Sequence, residues 1–325
     1  MNRELVVVMA SDNNYSFLLG NALYSLFDTN HSFKEIVVYI IDDKISIENK
    51  DKLKQLGIEY GRRLIFLSVP QMPSGIVIKG TLNLSTYYRL AVGSLLPVTI
   101  NKVLYLDCDI LVRGSLAKLW NTEINEYVLA GVQDTIGQNS RRFIELKKED
   151  IYVNAGVLLI NLARWREMCL EKSCLKYLMS KNYKVEFNDQ GIINHCCNGK
   201  IKLISPKYNY MTPYDRYTRN QLVKIVQKKN FYTEEELNEA RRNPTIVHFA
   251  GYAFSRPWFC GAIGRFVEEF LKTSELSGFT FVVKKQPTGV KYKVRRFANS
   301  LPDNMAIRMN QLIDDAYRFC TKLRD

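Results

Sequence analysis

The sequence predicts an α/β protein built on a largely parallel sheet flanked by helices. Three observations predict it. Short apolar runs rich in Val and Ile, at residues 5–10, 35–41, 64–69, 102–106, 127–132, 153–161 and 246–249, read as strands. Helix-like stretches separate the early ones, and strand-helix-strand alternation means parallel pairing. Acidic and amide residues cluster just past the ends of two of these runs, where such folds bind ligands.

In chain order, the run at 5–10 leads into the turn Ala10-Ser11-Asp12-Asn13-Asn14-Tyr15 and a helix expected over 15–27, whose apolar residues recur at spacings of three and four. The strand at 35–41 precedes a helix at 46–56 opened by Ser46 as cap, and the strand at 64–69 precedes a helix at 86–96 after Ser85. One long helix is expected over 162–180. Thr233-Glu234-Glu235-Glu236 is a capping-box signature for a helix running to Arg242, and Pro244 closes it before the last strand.

With 325 residues, 46% hydrophobic and 24% charged, the chain has enough apolar sequence for a large core. Its apolar runs fall far short of the roughly 20 residues of a spanning helix. The N-terminus, MNRELVVVMASDNN, lacks a signal-peptide core, so a cytosolic chain is expected. Seven cysteines, an odd number with no C-x-x-C pair, read as reduced thiols. The net charge of +13 implies an anionic partner. From about Gly278 the chain turns basic: Lys284, Lys285, Lys291, Lys293, Arg295, Arg296, Arg308, Arg318, Lys322 and Arg324 face only Asp303, Asp314, Asp315 and Asp325. We expect a catalytic domain at 1–278 and a basic amphipathic tail at 279–325, with Met305, Met309, Leu312, Ala316, Cys320 and Leu323 as its apolar stripe. Because the cationic residues concentrate in this tail, an anionic membrane is the expected partner, and nucleic acid is not.

The stretch KVLYLDCDILV (102–112) carries the chemistry. Buried ionised carboxylates need a cation or hydrogen-bond donors. Strand alternation would put Asp107 and Asp109 on one face and turn Cys108 away. Three readings follow: a cap plus an exposed carboxylate; a phosphatase of the haloacid dehalogenase type with Asp107 as nucleophile; or a metal claw for a nucleotide sugar. The second fits poorly, because the downstream pair Asp314-Asp315 lies in the tail and position 111 is Leu.

VVMASDNNY, LSTYYRLAVGSLLP, KVLYLDCDILV, YVNAGVLLINLARW, FNDQGIIN, KLISPKYNY and IVHFAG followed by RPW, in this order from about residue 4 to residue 260, resemble glycosyltransferase family 8. The resemblance implies a GT-A nucleotide-sugar-binding fold with a mostly parallel mixed central sheet. It also implies a manganese (or magnesium)-dependent UDP-hexose donor, galactose or glucose, and transfer with retention. It assigns Asp107, Asp109 and His248 to the metal, and Asp189 and Gln190 to the reacting anomeric carbon. Ala10, Asp12, Asn14, Tyr15, Thr86, Arg89, Leu106, Asp134, Asn154, Ala155, Gly156, Gly251 and Arg256 become donor contacts. Two carboxylates and an imidazole suit manganese chemically.

The sequence departs from the family's commonest pattern, His, two residues, Gly, two residues, Lys-Pro-Trp. Four residues separate Gly251 from Arg256, two more than the pattern, and Arg stands in place of Lys. Arg is a planar fork where Lys is a point charge, so the exchange is not neutral. Tyr208, Tyr210, Tyr214 and Tyr217 read equally as a platform for a sugar acceptor or as aromatic packing of a loop. The resulting expectation is a retaining hexosyltransferase acting on a lipopolysaccharide or capsule glycan, or a glycolipid, at the inner face of the cell membrane. A non-catalytic nucleotide-sugar binder is the alternative from another class.

Overall fold

A computed structural model describes residues 4–77, 84–228 and 230–322. The strands are β1 (Glu4–Asp12), β2 (Glu35–Asp43), β3 (Arg63–Ser68), β4 (Lys102–Leu106), β5 (Ile110–Val112), β6 (Leu129–Gln133), β7 (Val153–Asn161), β8 (Ile201–Leu203), β9 (Tyr210–Met211) and β10 (Ile246–His248). Seven form one sheet in the order β3-β2-β1-β4-β7-β6-β8, and β5-β10-β9 form a second, smaller one. β3, β2, β1 and β4 run parallel, whereas β7 is antiparallel to both β4 and β6, so the sheet is mixed. Leu5, Val7, Val8 and Met9 of β1 and Ile36, Val38, Ile40 and Ile41 of β2 are all fully buried. Helices cover both faces here, which is why these strands are continuously apolar rather than alternating. Each such side chain contributes about 1.5–3 kcal/mol of transfer free energy.

Three expectations change. Residues 102–112 are not one strand: β4 belongs to the large sheet and β5 to the small one, and Asp107-Cys108-Asp109 is the bend between them. The Asp107 amide donates to the Gly156 carbonyl (2.8 Å) and the Phe249 amide to the Asp109 carbonyl (2.9 Å), so each end of the bend is held by a different sheet. Residues 84–91 form a 3-10 helix followed by one short α turn, Val92–Leu95. Its three-residue repeat puts Thr86 and Arg89 on the same side. The helix expected at 162–180 breaks into Leu162–Glu167 and Leu170–Ser180 at Cys169, which adopts φ 51°. Arg166 donates to the carbonyls of Gly93, Leu96 and Ile100, pinning the first piece while the second turns away to pack beside Asn188–Cys196.

The tyrosine platform is also revised. Tyr208, Tyr210 and Tyr214 are buried, the Tyr214 hydroxyl donates to the Gln133 carbonyl, and Tyr210 meets Phe266 edge-on. They fill the core beneath the small sheet, and only Tyr217 borders a cavity.

The basic C-terminal residues form two helices, Val290–Ser300 and Asp303–Lys322, joined to the body by a bridge between Phe259 and Lys284. Ala298, Ala306 and Ile307 are buried, and Arg216 pairs with Asp303 (2.9 Å) and Asn299 (3.1 Å). Of the expected stripe, Met305 and Leu312 face outward, and Leu323 lies outside the described residues. No helix among the described residues is long and apolar enough to cross a membrane. Cys108, Cys169, Cys174, Cys196, Cys197 and Cys260 are all free thiols.

Candidate active site

Past the end of β4, Asp107 and Asp109 meet His248, the last residue of β10. One ligand atom from each of the three lies within 4.8 Å of the others, although 139 residues separate Asp109 from His248. His248 Nε2 is 3.1 Å from an Asp109 oxygen and 3.9 Å from an Asp107 oxygen. Burial opposes charge on both members of the close pair. Each nevertheless lies beside the other's charge, which holds Asp109 below the usual carboxylate range and His248 above the usual imidazole value.

Backbone space for this cluster comes from Gly156 on β7. A Cβ there would lie 2.2 Å from His248 Cε1 and 2.9 Å from an Asp107 oxygen. Two hard carboxylates and an imidazole, converging over a glycine with no atom to spare, fit a divalent cation such as manganese.

The imidazole is oriented from behind. His248 Nδ1 donates to Asn209 Oδ1 (2.9 Å), and the Asn209 amide donates to Asn154 Oδ1 (2.9 Å). That direction follows because the Asn209 NH₂ is already committed, and it leaves Nε2 facing the carboxylates. Asn154 in turn donates to Asp134 (3.0 Å) and to Gln190 Oε1 (3.2 Å). Gln190 Nε2 donates to Asp134 (3.0 Å) and the Tyr152 hydroxyl (2.8 Å), and its Oε1 also accepts from the Ala155 amide (3.0 Å). One chain of hydrogen bonds therefore runs from the Asp107–Asp109–His248 cluster to Gln190.

Arg89 is the hub on the other side. It is buried, pairs with Asp107 (2.8 Å) and Asp189 (2.9 Å), donates to the Ala155 carbonyl, and stacks 4.3 Å from the Tyr105 ring. Asp189 sits at the start of the helix Asn188–Cys196, entered through Phe187 and Asn188 at φ 63° and 52°. Burial raises its carboxyl to about 6 against the pull of Arg89. Burial likewise raises Asp134, against the hydrogen bonds from Asn154 and Gln190.

Two cavities flank this core. The smaller, about 100 Å³, is lined by Ala10, Tyr15, Thr86, Arg89, Asp107, Asp109 and Arg256, together with Ser11, Ser85 and Tyr105. The larger, about 490 Å³, takes in Asp134, Asn154, Gln190 and Gly251 at one end. Ala155 stands between them, its carbonyl bonded to Arg89 and its amide to Gln190. Gly251 turns the chain there at φ 124°, where only glycine is unstrained.

Of the remaining residues singled out in the sequence, Asp12 caps the turn after β1 by accepting from the Tyr15 amide (2.9 Å). Asn14 is exposed and lines neither cavity, and the Leu106 side chain is fully buried, leaving only its backbone to meet a ligand. Asn209, Tyr105 and Tyr152 escaped sequence reasoning. Asn209 lies inside the quoted stretch KLISPKYNY, so its position could have been marked, though not its bond to His248.

The fold matches that of solved glycosyltransferases. The galactosyltransferase LgtC, solved in complex with donor and acceptor sugar analogs, superposes with a TM-score of 0.70 at 26% identity, covering 84% of this chain and 96% of that one. The fold is the GT-A fold of glycosyltransferases. The profile of Glycosyl transferase family 8 matches residues 6–260, and the chain belongs to that family. A putative glycosyltransferase of Haemophilus influenzae is 32% identical over 241 residues, 70% of this chain and 68% of its own. A lipopolysaccharide 1,2-glucosyltransferase of Escherichia coli is 25% identical over 312 residues, 92% of this chain and 88% of its own. Family membership leaves the phosphatase reading without support.

Proposed function

We propose that this enzyme transfers a hexose, glucose or galactose, from a UDP-sugar to a hydroxyl of a lipopolysaccharide or capsule glycan, with retention and with a divalent cation held by Asp107, Asp109 and His248. The observation that carries the reading is the convergence of those three residues over Gly156, at the wall of a cavity that Arg89, Arg256 and Tyr15 also line. The relatives' lipopolysaccharide glucosyltransferase and galactosyltransferase activities support a hexose donor.

In this reading Tyr15 lies beside the uracil, and Asp107, Asp109 and His248 would hold a divalent cation that would offset charge gathering on the diphosphate. Arg256, whose Nε donates to the Phe249 carbonyl (3.3 Å), presents its fork to the phosphates in place of the family's lysine. The C1–O bond breaks with its electron pair leaving on UDP. The acceptor oxygen forms the new C1–O bond on the same face, and its proton passes to the departing phosphate oxygen. Two features favour this front-face path over a protein nucleophile. Asp189 is tied to Arg89, and the Gln190 oxygen already accepts two hydrogen bonds. Gln190 is then a fixed dipole beside the cationic sugar.

The test is a panel of UDP-sugars with manganese and no acceptor, followed by NMR of the anomeric proton in any transfer product. Slow release of UDP from one or both UDP-hexoses, abolished by chelator, and an α-linked product are expected. Binding without UDP release would favour the non-catalytic alternative, and a β-linked product would rule out retention.

We also propose that the enzyme works on an anionic membrane surface. Val290, Val294, Phe297, Met305 and Leu312 are exposed on the two C-terminal helices, beside exposed Lys291, Lys293, Arg296 and Arg308. Because Ile307 joins the core and Arg216 binds Asp303 and Asn299 of the same helices, point changes test this better than deletion of 285–325. Val294→Asp with Phe297→Asp should release the protein from phosphatidylglycerol vesicles in a sedimentation assay. An unmodified protein that stays in the supernatant at moderate salt would end the proposal.

A further inference from the structure

The larger cavity does not stop at Gln190. It extends outward to Asn299, Asn310 and Asp314 on the C-terminal helices, so these helices form its far wall. The stretch after Gly251, two residues longer than the family's commonest pattern, lines the cavity beside them. That extension supplies Tyr252 and Phe254, whose rings stack with centroids 5.3 Å apart at 22°. Tyr252 lies 5.7 Å from the Arg295 guanidinium, and Phe254 packs 6.3 Å from Tyr292. The longer turn and the helices are thus built against each other, and both face the cavity.

We propose that this outer half is a second acceptor subsite, which takes the penultimate ring of a neutral oligosaccharide while the ring bearing the attacking hydroxyl lies by Gln190. The inference rests on the transferase reading above. The volume, about 490 Å³, is in the range of pockets that enclose ligands larger than one sugar ring. The charge pattern selects a neutral ligand. Both arginines lining the cavity among the described residues are already neutralised: Arg295 by Asp314, with Asn310 as a second partner, and Arg216 by Asp303. A phosphorylated or carboxylated sugar would have to break one of these pairs. The other charged groups of the lining, Asp134 and Asp315, are carboxylates and also oppose an anion, and the aromatic faces, hydroxyls and side-chain amides beside them suit the C–H faces and hydroxyls of a pyranose.

The experiment compares p-nitrophenyl lactoside and maltoside with p-nitrophenyl galactoside and glucoside, using the full chain with manganese and the UDP-hexose it hydrolyses. The unmodified enzyme should prefer a disaccharide by at least about tenfold in kcat/KM, chiefly through KM, as expected for one stacked ring and its hydrogen bonds. Tyr252→Ala and Asn310→Ala should each remove most of that preference. The monosaccharide kcat/KM and acceptor-free UDP release should stay within about twofold, since neither residue lines the donor cavity. Equal use of mono- and disaccharides by the unmodified enzyme, or a preference that survives both changes, overturns the subsite while leaving the transferase reading intact. If no UDP-hexose is hydrolysed, the transferase reading fails instead. Saturation-transfer NMR of lactose and maltose against galactose and glucose, with UDP present, then decides the subsite without turnover. A disaccharide signal that Tyr252→Ala abolishes supports it, and a native protein that gives no such signal overturns it.

Discussion

Asp109→Asn is expected to lower transfer by about two to three orders of magnitude at saturating donor, because charge stabilisation by a bound cation is worth several kcal/mol and each 1.36 kcal/mol is tenfold. The change is nearly isosteric. It keeps an oxygen that can face His248 Nε2 but removes the negative charge that holds the imidazole's pKa up and that would hold a divalent ion. Affinity for manganese, read by titration calorimetry, should fall in parallel, while thermal stability changes little. The control is Asp51→Asn, an exposed carboxylate on the helix Ile47–Glu59 that is absent from the Asp107–Asp109–His248 cluster, where transfer and manganese affinity should not change. Undiminished turnover of Asp109→Asn, or full activity of the native chain in chelator, would sink the metal assignment.

The second large effect is expected from one methyl group. In Gly156→Ala the new Cβ would stand 2.2 Å from His248 Cε1 and 2.8 Å from Nδ1, distances that real Cβ atoms do not adopt. Gly156 has little room to yield, because its carbonyl accepts from the Asp107 amide, its amide donates to Asn154 Oδ1, and the residues after it, Val157–Asn161, pair with β4. His248 must therefore swing off both Asn209 and Asp109. Transfer and manganese binding should both drop by about a hundredfold, the upper range seen when the support of a metal ligand is lost. Overpacking itself should cost only about 1–3 kcal/mol, so the variant should remain folded by circular dichroism. A folded Gly156→Ala that binds manganese normally would show that the three residues do not share one ion.

These two positions differ in how they could be found. Asp109 is conspicuous in the sequence, since a carboxylate in an apolar run calls for a partner. Gly156 draws notice only within a motif, because one glycine in a strand has many meanings. Asn209 too is marked only by its motif, and nothing local records its role, a hydrogen bond to a residue 39 positions away. The fate of the tyrosines teaches the same lesson. Tyr208, Tyr210 and Tyr214 read equally well as a sugar platform or as core, and only packing beneath the small sheet made them core.

By itself the sequence determined the elements whose causes are local. Buried parallel strands announce themselves as unbroken Val and Ile runs, and two of the three capping signals hold: Ser46 accepts from the Asn49 amide, and Thr233 and Glu236 form a reciprocal box, whereas Ser85 lies inside the 3-10 helix Leu84–Ala91 instead of capping an α-helix. The ordered motifs also determined the family. Tertiary structure alone decided that Asp107 and Asp109 converge through a bend between two sheets rather than by strand alternation. It alone placed Asn209 behind His248, and it set the C-terminal helices as a wall of the larger cavity with an apolar face still outward. The physical reason is range. Propensity, capping and hydrophobic period act over a few residues, whereas a site made of β4, β7, β10 and two terminal helices exists only after the chain has closed loops of many tens of residues, and no local pattern records which distant groups will then meet.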